Sequence, residues 1–180
     1  MIGTYIRKMT GTTQSPPRVG LAEILWSWLG GSLGIAAVAY INYGFLDKTD
    51  VVMVIGSFGA SAVLIYGAIK SPLAQPRNFL GGHVISALIG VTAFKLLEPH
   101  LWLAAALAVG TSIAVMHATK TLHPPGGATA LIAVISGPKV TNLGYLYALV
   151  PVAAGALVML AVALLVNNLA PQRRDPEFWW

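Results

Sequence analysis

The segment Leu122-His123-Pro124-Pro125-Gly126-Gly127-Ala128-Thr129-Ala130-Leu131 lies deep inside an almost unbroken apolar sequence. Two prolines and two glycines interrupt any helix there, and the apolar run that resumes, Pro125–Ser136, is only half-length. In a bilayer an interrupted backbone is costly, because its N–H and C=O groups find no water. Such a break persists only where protein covers it or where it lines a cavity. The break also creates a helix start, and a helix start attracts anions. The feature therefore restricts the chain to a helical membrane bundle with a broken helix inside it, and it points toward transport of a small anion.

Composition agrees with a membrane protein. The 180 residues are 56% hydrophobic and 9% charged, whereas soluble domains carry about a quarter charged residues. The net charge of +5 is scattered over ends and loops with no basic patch interleaved with aromatics, which argues against nucleic-acid binding. There is no cysteine, so disulfide and thiol chemistry are excluded. Residues 1–20 hold Arg7, Lys8, Pro16, Pro17 and Arg18 without an apolar core, and read as a polar leader rather than a secretory signal. Residues 169–180 read as a polar, aromatic tail, with Arg173-Arg174-Asp175-Pro176-Glu177 expected to be solvated. Residues 21–168 are left as the transmembrane domain.

Four apolar stretches approach the ~20 residues that a crossing needs: about Leu21–Gly44, Phe79–Leu97, Leu101–Ala118 and Leu143–Val166. Two more are unusual: Val51–Ile69, interrupted by Gly56-Ser57-Phe58-Gly59, and the half-length Pro125–Ser136. Gln75-Pro76-Arg77-Asn78 is expected to cap and start the third crossing. The pieces repeat in order. Gly59-Ala60-Ser61-Ala62-Val63-Leu64 matches Gly127-Ala128-Thr129-Ala130-Leu131-Ile132; Trp28-Leu29 matches Trp102-Leu103; Ser71-Pro72 matches Gly137-Pro138; and Asn78 matches Asn142. If all six elements cross with the N-terminus inside, Arg7, Lys8, Arg18, Lys70, Arg77, Lys120, Arg173 and Arg174 lie inside, and Lys48, Lys95 and Lys139 outside. This obeys the positive-inside rule better than four crossings do. Three elements per copy make the copies inverted, as in many transporters with midplane sites.

The starts of the two broken helices, near Gly59 and Gly127, are then expected to face each other in mid-membrane. Pro125 suits the first helical position, where a missing N–H is no loss. Gly126, Gly127 and Ala128 on one side, and Gly56, Gly59 and Ala60 on the other, offer backbone donors; Ser57, Ser61 and Thr129 add hydroxyls. Neutral donors suit turnover, because a site must bind and then release. His123 lies beside this site and either serves an anion or a proton, or simply bonds a carbonyl freed at the break. His83 lines the pathway or packs as a satisfied core residue. His117 reads as structural or interfacial and His100 as a surface residue. Lys70, Arg77 and Lys120 form either a basic entrance or ordinary positive-inside anchors. Gly30, Gly31 and Gly34 read as close-packing positions, and Trp26, Trp28, Trp102, Trp179 and Trp180 as interfacial anchors.

The block Leu122–Leu131, together with Gly59-Ala60-Ser61-Ala62-Val63-Leu64, Ser71-Pro72-Leu73-Ala74-Gln75-Pro76-Arg77-Asn78 and Gly81-Gly82-His83, resembles the HPP family of integral membrane proteins, named for the triplet at His123-Pro124-Pro125. The resemblance covers about residues 20–168. Plant chloroplast and cyanobacterial members are associated with nitrite transport, so it implies a nitrite carrier or channel. The family is usually described with four transmembrane segments; the six elements counted here differ at the two short ones. Some bacterial members carry a CBS-type regulatory domain. None follows the last crossing here, so nucleotide control within the chain is not expected.

The expected fold is thus an all-α membrane protein of six helical elements in two three-element inverted repeats, about 21–98 and 101–167. The expected function is transport of a monovalent anion, nitrite first, with nitrate, formate and bicarbonate open. Substrate contacts are expected from Ser57, Gly59, Ala60, Ser61, His123, Gly126, Gly127, Ala128 and Thr129, and the pathway from His83, Lys70, Arg77 and Lys120. No enzyme activity, cofactor or metal is expected. The partners are the anion, the lipid bilayer and a further copy of the chain in a homo-oligomer; the location is a bacterial inner membrane with both termini cytoplasmic. Two other classes stand beside this reading: a scaffold or regulatory subunit, and a metal site using His83, His117 and His123, which lacks acidic partners.

Overall fold

Hydropathy and length dictate the main elements. The computed structural model describes residues 2–46, 49 and 52–180; Lys48, used in the charge count, and Val51, the start of the second stretch, lie outside the described residues. Among the described residues the chain has eight α-helices and no strand. After α1 (Ile2–Arg7), helix α2 (Leu21–Ile41) continues through a wider turn to Leu46. Then come α3 (Gly56–Gly67), α4 (Pro76–Leu97), α5 (Leu101–Ala118), α6 (Pro124–Ile135), α7 (Pro138–Thr141) and α8 (Ala154–Leu169). Four spans are long and apolar enough to cross a membrane: Leu21–Leu46, Pro76–Leu97, Leu101–Ala118 and Ala148–Leu169. Helices α3 and α6 have 12 residues each, about 18 Å of rise.

Local chemistry sets the boundaries. Pro76 and Pro124 occupy first-turn positions after extended Gln75 and His123, where proline loses no bond and brings a helical φ. Helix α6 therefore starts at the first proline, one residue ahead of the expected Pro125, and α3 starts at Gly56, three ahead of the expected start near Gly59. Gly56-Ser57-Phe58-Gly59 is the first turn of α3 and not an interruption within it. The last crossing also begins later than Leu143. Gly137 and Gly144 take positive φ (75° and 52°) around the short α7, and Val150 ahead of Pro151 is non-helical, as proline demands of its predecessor.

Glycine lets these helices close up. Gly30 and Gly34 of α2 face the Tyr66 ring, and a Cβ on Gly30 would lie 2.6 Å from it. Gly31 has no neighbour in reach, so only two of the three expected glycines serve packing. Gly82, Ser86 and Gly90 recur every four residues on one face of α4. A Cβ at Gly82 would lie 2.6 Å from His123 Cβ, and one at Gly90 would lie 2.5 Å from Ala130 O. This small-residue stripe draws α6 against α4 and brings His123 beside His83. Helix α2 packs on α3 and α8; α5 packs on α6 and α4; α3 also touches α6 and α8.

Contacts between elements define two ends. Arg173 pairs with Glu23, Arg77 donates to Thr119 O, and Glu177 N–H donates to the Gln75 side chain. One end therefore gathers the starts of α2 and α4, the end of α5 and the tail. At the other end Lys95 lies 5.7 Å from the Tyr145 ring centre. The tail is not solvated as expected: Arg173 and Asp175 are buried.

Candidate functional site

The two half-length helices pass each other side by side. Ser57, in the first turn of α3, meets Thr129, in the second turn of α6, at 2.8 Å. Ser61, in the second turn of α3, meets His123, at the start of α6, at 2.8 Å. Residue numbers rise on one helix as they fall on the other, so the pair is antiparallel. The helix starts overlap rather than face each other end to end. Two 12-residue helices overlapping by about six residues reach about 27 Å, close to the ~30 Å of a hydrocarbon core. The overlap falls at the middle of that length.

A continuous hydrogen-bonded cluster fills the overlap. His123 Nδ1 lies 2.8 Å from Leu73 O. Ser61 Oγ bridges His123 Nε2, at 2.8 Å, and His83 Nε2, at 2.7 Å. His83 Nδ1 lies 2.7 Å from Thr129 Oγ1, which lies 2.8 Å from Ser57 Oγ and 3.3 Å from Pro125 O. Tyr147 OH donates to Thr129 O, and Asn78 donates to Leu122 O, holding the chain at the break. Phe58 and Phe79 stand edge-on to His83, and Phe79 also to His123, at ring separations of 5.3–5.4 Å. The side chains of Ser57, Ser61, His83, His123 and Thr129 are all buried. Among the described residues no three His, Cys, Asp or Glu groups gather as a metal-binding set.

Of the expected substrate contacts, Ser57, Ser61, His123 and Thr129 come together, joined by His83, which was expected to line the pathway. Gly59, Ala60 and Ala128 are exposed on the outer faces of their helices. Gly126 faces Gly82 O and Ser86, and Gly127 faces Val109. The expectation of free backbone donors at α6 also needs correction. Pro124 and Pro125 have no N–H, and the Gly126 N–H already donates to His123 O at 2.8 Å. Gly127 and Ala128 lie past the four orphan positions at this helix start, His123 to Gly126 counted from the N-cap. At α3, Phe58 N–H donates to Ile55 O, and only Gly56 and Ser57 precede it as free-amide positions. The two helix starts are therefore unequal.

Lys70, Arg77 and Lys120 do not share one entrance. Lys70 is exposed beside Glu23, Ser71 and Arg173 around a cavity of about 500 Å³. Arg77 lines a different cavity of about 380 Å³ with Gly81, Thr119, Thr121, Trp179 and Trp180. Lys120 is exposed, with a left-handed φ of 55°. His117 and His100 are exposed.

Sequence reasoning missed a second polar cluster at this end. Arg173 reaches Glu23 at 2.7 Å and donates to Ser27 and to Asn167. Asn167 donates to Asp175 Oδ2 and to Ile65 O. Gln75 donates to Ile69 O and Ser71 O while accepting from the Glu177 amide. Burial pushes the Asp175 carboxyl above its ordinary range, against the Asn167 hydrogen bond and the nearby Arg173 charge. Leu73 O, Phe58, Phe79 and Tyr147 were also unforeseen, although Leu73 falls inside the block quoted for the resemblance.

The transmembrane region of the HPP family matches residues 16–176, so the chain belongs to this family of integral membrane proteins. It is also similar to two transmembrane proteins of Dictyostelium discoideum. One is 48% identical over 179 residues, covering 98% of this chain and 57% of that protein; the other is 45% identical over 181 residues, covering 98% and 63%. The chain thus spans about three-fifths of the length of these relatives. No solved structure matches.

Proposed function

We propose that this protein carries a small monovalent anion across the membrane, nitrite first among the candidates, using Ser57, Ser61, His83, His123 and Thr129. The observation that carries this reading is a buried cluster of hydrogen-bonding side chains, free of Asp, Glu, Lys and Arg, held between two half-length helices of a membrane protein. A permanent counter-charge in such a place holds an anion too tightly for turnover, whereas hydroxyls and imidazoles bind and release. Nitrite is chosen through the resemblance of the sequence blocks, and nitrate, formate and bicarbonate are its rivals.

Packing supports the inverted repeat behind this reading. Exchange α2 with α5, α3 with α6 and α4 with α8. The contact of α2 with α3 becomes that of α5 with α6, the contact of α2 with α8 becomes that of α5 with α4, and the contact of α3 with α8 becomes that of α6 with α4. Ser61 and Thr129, equivalent in the matched blocks, both bond His83. Inverted repeats with sites at the overlap of broken helices support alternating access. The cluster is closed by Phe58 and Phe79, which favours a carrier over an open pore. We assign the end with Arg77 and Arg173 to the cytoplasm by the positive-inside rule, in a bacterial inner membrane. The cavity beside Trp179 and Thr121 is the proposed vestibule.

The test is uptake of nitrite, nitrate, formate and bicarbonate into liposomes holding the full chain, against protein-free liposomes. Saturable uptake of at least one of them is expected. Folded protein that passes none under an imposed potential or pH gradient would remove the transport reading.

A further inference from the structure

The polar cluster lies between two aromatic rings set at different depths. Ser61 and His83 meet at 2.7 Å and mark its middle. Helix α4 starts at the end that holds Arg77 and Arg173. Phe79 stands four residues before His83 on that helix, so it lies about 6 Å nearer the Arg77 end. Helix α3 runs the other way, since Ile69 O, just past its last turn, accepts from Gln75 at the start of α4. Phe58 stands three residues before Ser61 on α3 and therefore lies about 4.5 Å farther from the Arg77 end. Both rings are buried, and both stand edge-on to the same imidazole, His83, at 5.4 Å for Phe58 and 5.3 Å for Phe79. Phe79 also covers His123, at 5.3 Å. Phe58 thus shuts the cluster toward the Lys95 end, and Phe79 shuts it toward the Arg77 end.

The Phe58 ring has a seat of its own. Gly155, in the first turn of α8, has no side chain where the ring lies, and a Cβ there would fall 2.7 Å from Phe58 Cζ. The other copy makes the equivalent contact differently. Phe58 precedes Gly59 as Gly126 precedes Gly127 in the matched blocks. Gly126 meets Gly82 of α4, where a Cβ on Gly126 would fall 2.8 Å from Gly82 O. Glycine therefore closes on glycine between α6 and α4, backbone against backbone, while a ring fills the seam between α3 and α8. Rotation of one side chain opens the second seam. Opening the first takes movement of a whole helix, a larger and slower event.

We propose, resting on the transport reading above, that Phe58 and Phe79 are the two gates of the carrier, and that Gly155 is the seat of the Phe58 ring when its gate is shut. His83 couples the gates. Both rings rest against it, so a tilt of the imidazole toward one ring withdraws it from the other, and the cluster opens to one end at a time. The tilt keeps the hydrogen bonds of His83, because its partners Ser61 and Thr129 are hydroxyls that rotate to follow it. An anion held by the cluster then passes between the ends without a continuous pore, as alternating access requires. Phe58 and Phe79 bring no polar atom to the anion; they act by closing the way to it.

The test is thiol accessibility, which is clean here because the chain has no cysteine of its own. Ser61→Cys places one thiol between the two rings. The full chain, carrying an affinity tag at its C-terminus, is reconstituted in liposomes, and capture through the tag separates vesicles that expose the Arg77 end from those that expose the Lys95 end. An anionic, membrane-impermeant methanethiosulfonate is then added outside. A minor open state is populated at about 0.1–10%, so loss of a gate should raise labelling at least about tenfold on its own side. In the Ser61→Cys chain, Phe58→Ala should do this only where the Lys95 end is exposed, and Phe79→Ala only where the Arg77 end is exposed. Phe58→Leu, which keeps more of the packing, is the second variant and should raise labelling at the Lys95 end alone, by less than Phe58→Ala. Labelling that rises equally from both ends in folded Phe58→Leu, or that rises with neither Phe58 variant, overturns the gates and leaves the transport reading standing. Absence of wild-type flux for every anion removes the transport reading, and the gates fall with it.

Discussion

Two buried polar clusters lie in this molecule, and they are built from different chemistry. The one between α3 and α6 uses imidazoles and hydroxyls, with neighbouring carbonyls, and contains no Asp, Glu, Lys or Arg. The one at the bundle end uses Arg173, Glu23 and Asp175, backed by Asn167 and Gln75. Depth explains the difference. At the end, Glu23 keeps 28% of its side chain exposed, so an ion pair there retains some solvation and can fasten the tail. In the middle, a permanent charge would be expensive and would also trap a transported ion. The end cluster is a fastening, whereas the middle cluster is adjustable, because its protons can be rearranged without moving heavy atoms.

Substitutions that affect one cluster and spare the other sharpen this contrast. Arg173→Ala removes the centre of the fastening and leaves Glu23 without its partner. It should cost about 2–3 kcal/mol, at the low end for a broken buried pair because Glu23 is partly solvated. The check is the unfolding midpoint in detergent; flux per folded molecule should stay near wild type. Gly82→Ala forces a methyl against His123 Cβ and Thr121 O, and overpacking of this kind costs about 1–3 kcal/mol. It should lower both the unfolding midpoint and the flux, because it displaces His123 from Ser61. Ser57→Ala removes one interhelical hydrogen bond, worth about 0.6 kcal/mol in membrane proteins. It should barely change the midpoint while abolishing saturable uptake.

The smallest effect concerns pH. The Asp175 carboxyl titrates above its ordinary range in the folded protein. The folded state therefore favours the protonated form. That contribution is full below the unfolded value and is lost as pH rises through the folded one. Asp175→Asn should match wild type in acid and be slightly more stable at neutral pH, as compared by unfolding midpoints at both. A neutral-pH loss as large as that of Arg173→Ala would place Asp175 among the essential charges and blur the distinction between its role and that of Arg173.

The sequence exposed these clusters unequally. Helix lengths, the two half-length elements and the join at Gln75-Pro76 were legible, because hydropathy and proline report directly on membrane depth and helix starts. Ser57, Ser61, His83, His123 and Thr129 were legible as polar residues in apolar surroundings. Their connection was not, since it depends on the antiparallel overlap of α3 with α6 and on the stripe Gly82, Ser86, Gly90, whose partner the sequence does not name. The second proline was misread: Pro124 begins α6, and together the two prolines remove the amides that the helix start was expected to offer. Arg173 and Asp175 were invisible, because a charged pair near a chain end looks the same in sequence whether it is solvated or fastened to Glu23 and Asn167.

The central claim is that the middle cluster moves an anion and the end cluster only holds the bundle together. The most direct test is nitrite and nitrate flux into liposomes for wild type, Ser57→Ala and Arg173→Ala, each normalised to folded protein and run below its unfolding midpoint. The account predicts loss of flux in Ser57→Ala and near wild-type flux in Arg173→Ala. Undiminished flux in folded Ser57→Ala, or its loss in folded Arg173→Ala, would contradict it.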